Sequence, residues 1–314
     1  MAPRAFSDAR ERAAVGKAPA PLAIRPLHVA LFVLIAAVWG ANFAVAKIGL
    51  EQLPPILMMA LRWGLVGVLL APFAAAPRGH WREVLLVSFT LGFLHFALMF
   101  TGLREIDAAM AAIAIQLQVP FAALLAAVVF KDRLGWRRAL GMATAFAGVA
   151  IVAGQPRLGG HYLALAMVIA AACIWSVANI QIKLMGKIDG ITLNAWIGML
   201  AAPQLALASL VLEDGQAAAL ATADWRALMS VLYQAVLVVG FGYGAWYWLL
   251  RRYAVNQVMP FMLLVPVFGV LSGAAFLGEP LTLALIGGGA LTVLGVGIII
   301  VRRPRLVAPE AERV

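Results

Sequence analysis

Long apolar runs alternate with short polar breaks along the whole chain. Ten runs stand out: 28–49, 55–75, 83–103, 108–129, 137–154, 161–182, 191–212, 226–250, 255–277 and 281–301. A helix that crosses a bilayer needs about 20 mostly apolar residues, and each run is of that order. In lipid the backbone must satisfy its own hydrogen bonds, so the pattern predicts an all-α integral membrane protein with ten transmembrane helices. Segments of about 10 residues with alternating polarity, which would mark a barrel, are absent.

The ten runs carry an internal echo. Trp39 and Lys47 in the first recur with the same spacing as Trp175 and Lys183 in the sixth. Pro120 answers to Pro266, Gly141 to Gly288, and Gly148 to Gly295, all at one near-constant offset. The connectors Asp132-Arg133-Leu134 and Glu279-Pro280-Leu281 also fall in register. The chain therefore divides into residues 28–154 and 155–301, each with five spans. Five is odd, so the second half enters the membrane in the opposite sense. Inverted repeats of this kind are typical of secondary transporters, whose substrate site lies near the midplane where the halves meet.

Composition agrees. Of 314 residues, 64% are hydrophobic and 12% charged, against about 45–50% and 25% in soluble domains. One cysteine and four scattered histidines (His28, His80, His95, His161) exclude a disulfide framework and a Cys/His metal cluster. The net charge of +10 raises the question of nucleic acid, but its placement answers differently. Lys and Arg crowd the two tails and every second loop; only Lys47, Arg104, Arg157 and Arg226 fall on the other side, with Arg62 inside a span. This asymmetry predicts a multi-pass protein of a bacterial inner membrane with both termini cytoplasmic, and no nucleic-acid partner. Residues 1–27 have no apolar core of a signal peptide; they and 302–314 read as disordered basic cytoplasmic tails.

Particular residues narrow the class. The first half carries Trp39-Gly40-Ala41-Asn42-Phe43, then Lys47-Ile48-Gly49-Leu50, Pro54-Pro55 and Leu61-Arg62-Trp63. The second carries Gly242-Tyr243-Gly244-Ala245-Trp246, Leu263-Leu264-Val265-Pro266-Val267 and Glu279-Pro280-Leu281-Thr282. Across 28–301 the sequence resembles the drug/metabolite transporter superfamily, in its EamA-type branch of bacterial amino-acid and metabolite exporters. The resemblance implies two inverted five-helix repeats around a central cavity, lined mainly by helices 1, 3, 4, 6, 8 and 9. It also implies export of amino acids or related small metabolites. Trp175-Ser176 departs from the Trp39-Gly40 of the first half.

Catalytic signatures are missing. There is no G-x-x-x-x-G-K-[ST] loop, no H-E-x-x-H, and no G-x-S-x-G elbow around Ser272, so the chain reads as no enzyme and needs no cofactor. All 14 acidic residues lie near span ends or in loops and tails. Proton- or sodium-driven carriers commonly keep an intramembrane carboxylate. Its absence points to facilitated diffusion or weak proton coupling. His95 is the one mid-span group that titrates near neutral pH; it is either a proton partner or a neutral, hydrogen-bonded imidazole.

Arg62 lies about 10 Å into span 2, counted at about 1.5 Å per residue. It either attracts a substrate carboxylate or snorkels to the interface. Lys47 and Lys183, near opposite faces, read as snorkelling residues or symmetric gates. Trp39 with Asn42, and Trp175 with Asn179, share helix faces at i, i+3 and i, i+4. Tyr243 and Trp246 do so on span 8, well away from headgroups. Gln116 and Gln118 are about 200° apart on a helix, so one alone can face a cavity; Gln116 is assigned to it. An amide beside a tryptophan suits a zwitterion with an apolar side chain, or merely bridges two helices. Pro120 and Pro266 break helical hydrogen bonds, as hinges of alternating access or as static kinks.

The sum is a cofactor-free exporter of amino acids or related metabolites. Its expected partners are a small-molecule substrate and the lipid bilayer, and its expected assembly a monomer or weak homodimer. The rival readings are a multidrug or other metabolite efflux or uptake carrier, and a non-transporting membrane scaffold.

Overall fold

The structure, a computed structural model, describes residues 24–131, 135–186, 188–253 and 255–301. The predicted tails, apart from 24–27, and Asp132 lie outside the described residues. Every regular element described is helical: α1 (Pro26–Leu50), α2 (Pro55–Leu70), α3 (Trp81–Glu105), α4 (Ala108–Val129), α5 (Trp136–Ala153), α6 (Tyr162–Met185), α7 (Gly190–Leu212), the short α8 (Gln216–Thr222), α9 (Trp225–Leu250), α10 (Met259–Leu277) and α11 (Leu283–Val301).

Among the described residues, nine helices are long and apolar enough to cross a membrane. The expected count was ten. The fifth run does form a helix, but α5 carries Arg137 and Arg138 in its first turn, which dilute its apolar character.

Helix starts follow ordinary rules. Pro26 and Pro55 occupy first turns, where a missing N–H costs nothing. Asp189 and Asp224 cap α7 and α9 through their carboxylates. Two other caps come from distant segments. Glu213 accepts from Ile56 N and Leu57 N at 2.7 and 3.0 Å, closing the start of α2. Glu279 accepts from Ala108 N and Ala109 N at 2.6 and 2.9 Å, closing the start of α4.

The packing repeats with the sequence. Helix α2 packs on α7, and α5 on α11. Helix α1 packs on α9 and α10, while α6 packs on α3 and α4. Each pairing in the first half thus has its counterpart in the second. The glycines that fall in register form the α5–α11 seam. A methyl group on Gly148 would lie 2.5 Å from Gly288 O, and one on Gly141 would lie 2.8 Å from Gly295 O. Helices in lipid associate by close van der Waals packing rather than by a hydrophobic drive, so small residues set the contact.

Four helices lose α geometry at matching places. Helix α3 is a π-helix over Ser88–His95, and α9 over Tyr233–Tyr243. Helix α4 tightens to 3-10 over Ile115–Leu117, just before Pro120, and α10 over Met259–Leu263, just before Pro266. A proline removes a bond to the carbonyl four residues earlier, so the preceding turn has reason to tighten.

Candidate functional site

The two π segments end on His95 and Tyr243, both predicted site residues. π-Helical turns are concentrated at functional sites because they re-aim side chains. Tyr243 meets the ring of Trp39 at 5.2 Å between centroids, and Trp39 meets Trp246 at 5.7 Å. The Trp39 indole N–H donates to Val238 O at 3.1 Å, a carbonyl inside the π segment. The aromatic wall predicted on α1 and α9 is therefore one continuous surface.

His95 is buried. Its Nδ1 is 2.9 Å from Ala171 O. A carbonyl only accepts, so Nδ1 donates in this bond. The ring packs on Trp175 at 4.9 Å and on Phe96 at 4.6 Å.

Arg62 completes this side, and it does not snorkel. The residue is 2% exposed. Its guanidinium carbon lies 4.5 Å from the ring centroid of Phe96, 5.5 Å from Trp63 and 5.9 Å from Phe100. Nη1 is 3.8 Å from Met59 Sδ, and Nε has no partner. The ion pairs among the described residues join Arg157 to Asp107, His161 to Glu105 and Arg251 to Asp189, so none of them holds Arg62. A buried arginine without an acid is rare, because a desolvated charge costs several kcal/mol. Three ring faces return only about 0.5–2 kcal/mol each.

The remaining predicted residues divide. Asn42 is half-buried, and its Oδ1 has no partner. Gln116 is buried in the 3-10 turn of α4. Pro120 and Pro266 are buried beside their 3-10 turns. Asn179, expected on the face of Trp175, is exposed. Four residues advance a helix by about 400°, so the two side chains are offset by about 40°, enough to part them at the edge of a packed face. Sequence reasoning missed Gln234, which is fully buried in the π segment of α9 with Oε1 unpartnered. Only an amide inside an apolar run could have flagged it.

Charged groups gather at the bundle end that holds Glu279. A cavity of about 740 Å³ opens there, lined by Lys47, Asp107, Arg157, Arg226, Tyr233 and Glu279 among others. Lys47 turns inward rather than snorkelling: Nζ donates to Leu103 O at 3.4 Å and to Ile106 O. Its repeat mate Lys183 is exposed over the ring of Phe130 at 3.9 Å. Arg157 pairs with Asp107 at 3.0 Å. The α3–α4 turn is thus held from α1, from the α5–α6 loop and from the α10–α11 loop. Burial pushes the Glu279 carboxyl above its ordinary value, against the pull of its two N–H bonds. The folded protein binds that proton more tightly than an unfolded chain, so this group's contribution to stability falls as pH rises through the raised pKa. Glu279→Ala, which leaves Ala108 N and Ala109 N unpaired, is expected to cost about 0.5–2 kcal/mol. Thermal unfolding in detergent at neutral pH measures it, with Glu279→Gln losing less because an acceptor remains.

The stacked apolar helices and the glycine seams define a multi-span helical membrane protein. The profile of the EamA-like transporter family matches residues 27–154 and again 162–301. The chain belongs to that family, and so to the drug/metabolite transporter superfamily: it is a transporter, not an enzyme. It is 34% identical over 278 residues to a probable amino-acid metabolite efflux pump of Salmonella typhimurium, covering 85% of this chain and 93% of that one. The Escherichia coli protein of the same description matches with the same identity and coverage. A probable terminal-alkyne amino-acid exporter of Streptantibioticus cattleyicolor is 29% identical, over 85% of this chain and 91% of its own. A solved crystal structure aligns with a TM-score of 0.61 at 21% identity, over 85% of this chain and 94% of that one, and so shares the fold.

Proposed function

We propose that this transporter exports amino acids or closely related metabolites across the bacterial inner membrane by alternating access, with Arg62 holding the substrate carboxylate. The observation that carries this reading is the Arg62 guanidinium, buried and in no ion pair among the described residues. Such a group is stabilised by an anion that arrives as ligand. Two relatives named as amino-acid metabolite efflux pumps support the substrate class. The wall of Trp39, Tyr243 and Trp246 gives an apolar side chain its packing surface.

The charge asymmetry of the loops supports cytoplasmic termini and an outward-facing Glu279 end. The kinks at Pro120 and Pro266, each beside a 3-10 turn, are the natural hinges. Transport is facilitative or weakly proton-coupled, since every described Asp and Glu lies in a loop or in the first or last turn of a helix. His95 is the one candidate for a proton. Proteoliposomes tested with a panel of radiolabelled amino acids and no ion gradient are expected to take up label saturably, with suppression by unlabelled competitor. Silence across the panel, with and without an imposed proton gradient, overturns the reading.

A further inference from the structure

The identity of the substrate's charge is written in the balance of buried groups. Arg62 is the one cation among the described residues that is buried at mid-span, and none of the described ion pairs includes it. The protein without ligand therefore holds one uncompensated positive charge in its core. A ligand of net charge −1 neutralises it. A zwitterion does not: its carboxylate satisfies Arg62, but its ammonium arrives as a second buried cation in need of its own counter-charge.

The polar groups left open are neutral. Asn42 Oδ1 and Gln234 Oε1 are buried and unpartnered, on the helices that carry Trp39 and Tyr243. Neutral carbonyl acceptors match a neutral N–H or O–H donor, in a bond that contributes about 0.5–1.5 kcal/mol net. Desolvating an ammonium without a carboxylate costs several kcal/mol, which such bonds do not offset even with a ring face of the aromatic wall adding about 0.5–2 kcal/mol. The comparison decides against a charged amine.

We propose that the preferred substrate is a monoanion: a carboxylate on an apolar or aromatic body whose nitrogen, where it has one, is uncharged, as in an N-acylated amino acid or a 2-oxo acid. The proposal rests on the reading of Arg62 as the carboxylate anchor. It adds that the amine of an ordinary amino acid is a handicap at this site. In an N-acylated ligand the carboxylate meets Arg62, the amide N–H meets a neutral acceptor, and the side chain packs on the Trp39–Tyr243–Trp246 wall.

The experiment is competition and flux in proteoliposomes of the full-length protein, with four matched ligands. Phenylalanine is the zwitterion, N-acetylphenylalanine and phenylpyruvate are the monoanions, and phenylalanine methyl ester is the cation. The monoanions are expected to compete at least tenfold better than phenylalanine. Their uptake should also rise several-fold under an inside-positive potential set with potassium and valinomycin, while that of phenylalanine should not. In Arg62→Gln the monoanion advantage should collapse toward unity; in Arg62→Lys, which keeps the charge, it should persist at lower affinity. Equal or better competition by phenylalanine overturns the monoanion proposal and leaves Arg62-anchored amino-acid export standing. Preference for the ester, or no flux of any of the four, overturns both. Should neither variant fold, the wild-type ratio still decides.

Discussion

Arg62→Met is expected to lower flux on the order of a hundredfold while leaving the protein as stable as before, or more so. The two halves of this result come from one cause. Removing one partner of a desolvated, hydrogen-bonded charge pair costs about 2–5 kcal/mol, and each 1.4 kcal/mol is about tenfold in affinity. In the empty protein, however, Arg62 has no charge partner to lose. Methionine has a similar length and suits the apolar site among Trp63, Phe96 and Phe100. Replacing a buried, uncompensated charge with an apolar side chain is commonly neutral or stabilising. A purely structural arginine would behave in the opposite way, with stability lost and flux falling only in proportion. Initial rates in proteoliposomes and thermal unfolding of the same preparation read both quantities. Unchanged flux in a folded variant removes Arg62 from the site.

The second large effect belongs to the α5–α11 seam. Gly148→Leu is expected to abolish correct folding, seen as aggregation on size exclusion or a collapse of the unfolding midpoint. A Cβ at this position would lie 2.5 Å from Gly288 O and 2.6 Å from Thr292 N. Both are backbone atoms, so no rotamer change relieves the clash and the helices must part. Overpacking a core costs about 1–3 kcal/mol where side chains can yield; this site is at or above that limit. Gly287→Ala is the control on the partner helix. Nothing lies within 4 Å of the added methyl, and the midpoint should hold or rise slightly, since Ala favours helix over Gly.

That seam was legible in the sequence. Gly141, Gly148, Gly288 and Gly295 fell in register because both halves need a close crossing at one place. A small residue at a fixed spacing is a local signal with a local cause. The same holds for Pro120 and Pro266, whose tightened turns precede them where the lost hydrogen bonds require. The aromatic pairing of Trp39 with Tyr243 and Trp246 was foreseen as faces of separate helices, and their meeting is tertiary.

What could not be read depends on side chains that cross between segments. Lys47 has the sequence of a snorkelling residue, yet it caps the carbonyls of a helix more than fifty residues away. Asn179 shares a nominal face with Trp175 and is exposed all the same. The π segments have no compositional mark: Tyr233–Tyr243 reads as an ordinary apolar stretch. The fifth span, α5, opens on two arginines that weaken its apolar character and that read in the sequence as a mere boundary.

The caps at the Glu279 end have an energetic consequence for the transport cycle. Glu213 and Glu279 both belong to the second repeat, and both close helices of the first. The corresponding loop after α2, residues 74–80, contains Arg78 and His80 and no acid to return the favour. The symmetry between the repeats is therefore not carried into the chemistry of the loop at the Glu213 position, whereas Glu279 has an acidic repeat mate in Asp132, which lies outside the described residues. A carrier with two equivalent ends would divide its time evenly between facing in and facing out. In the alternating access proposed above, a motion that draws α2 away from Glu213 gives up a cap of about 0.5–2 kcal/mol that no acid in residues 74–80 replaces. The resting ratio of the two states is then displaced by about 2- to 30-fold toward the one that keeps it. An unloaded carrier with this bias waits on one side of the membrane between cycles, so its half-saturation differs between the two faces while the substrate gradient still sets the direction of net flux.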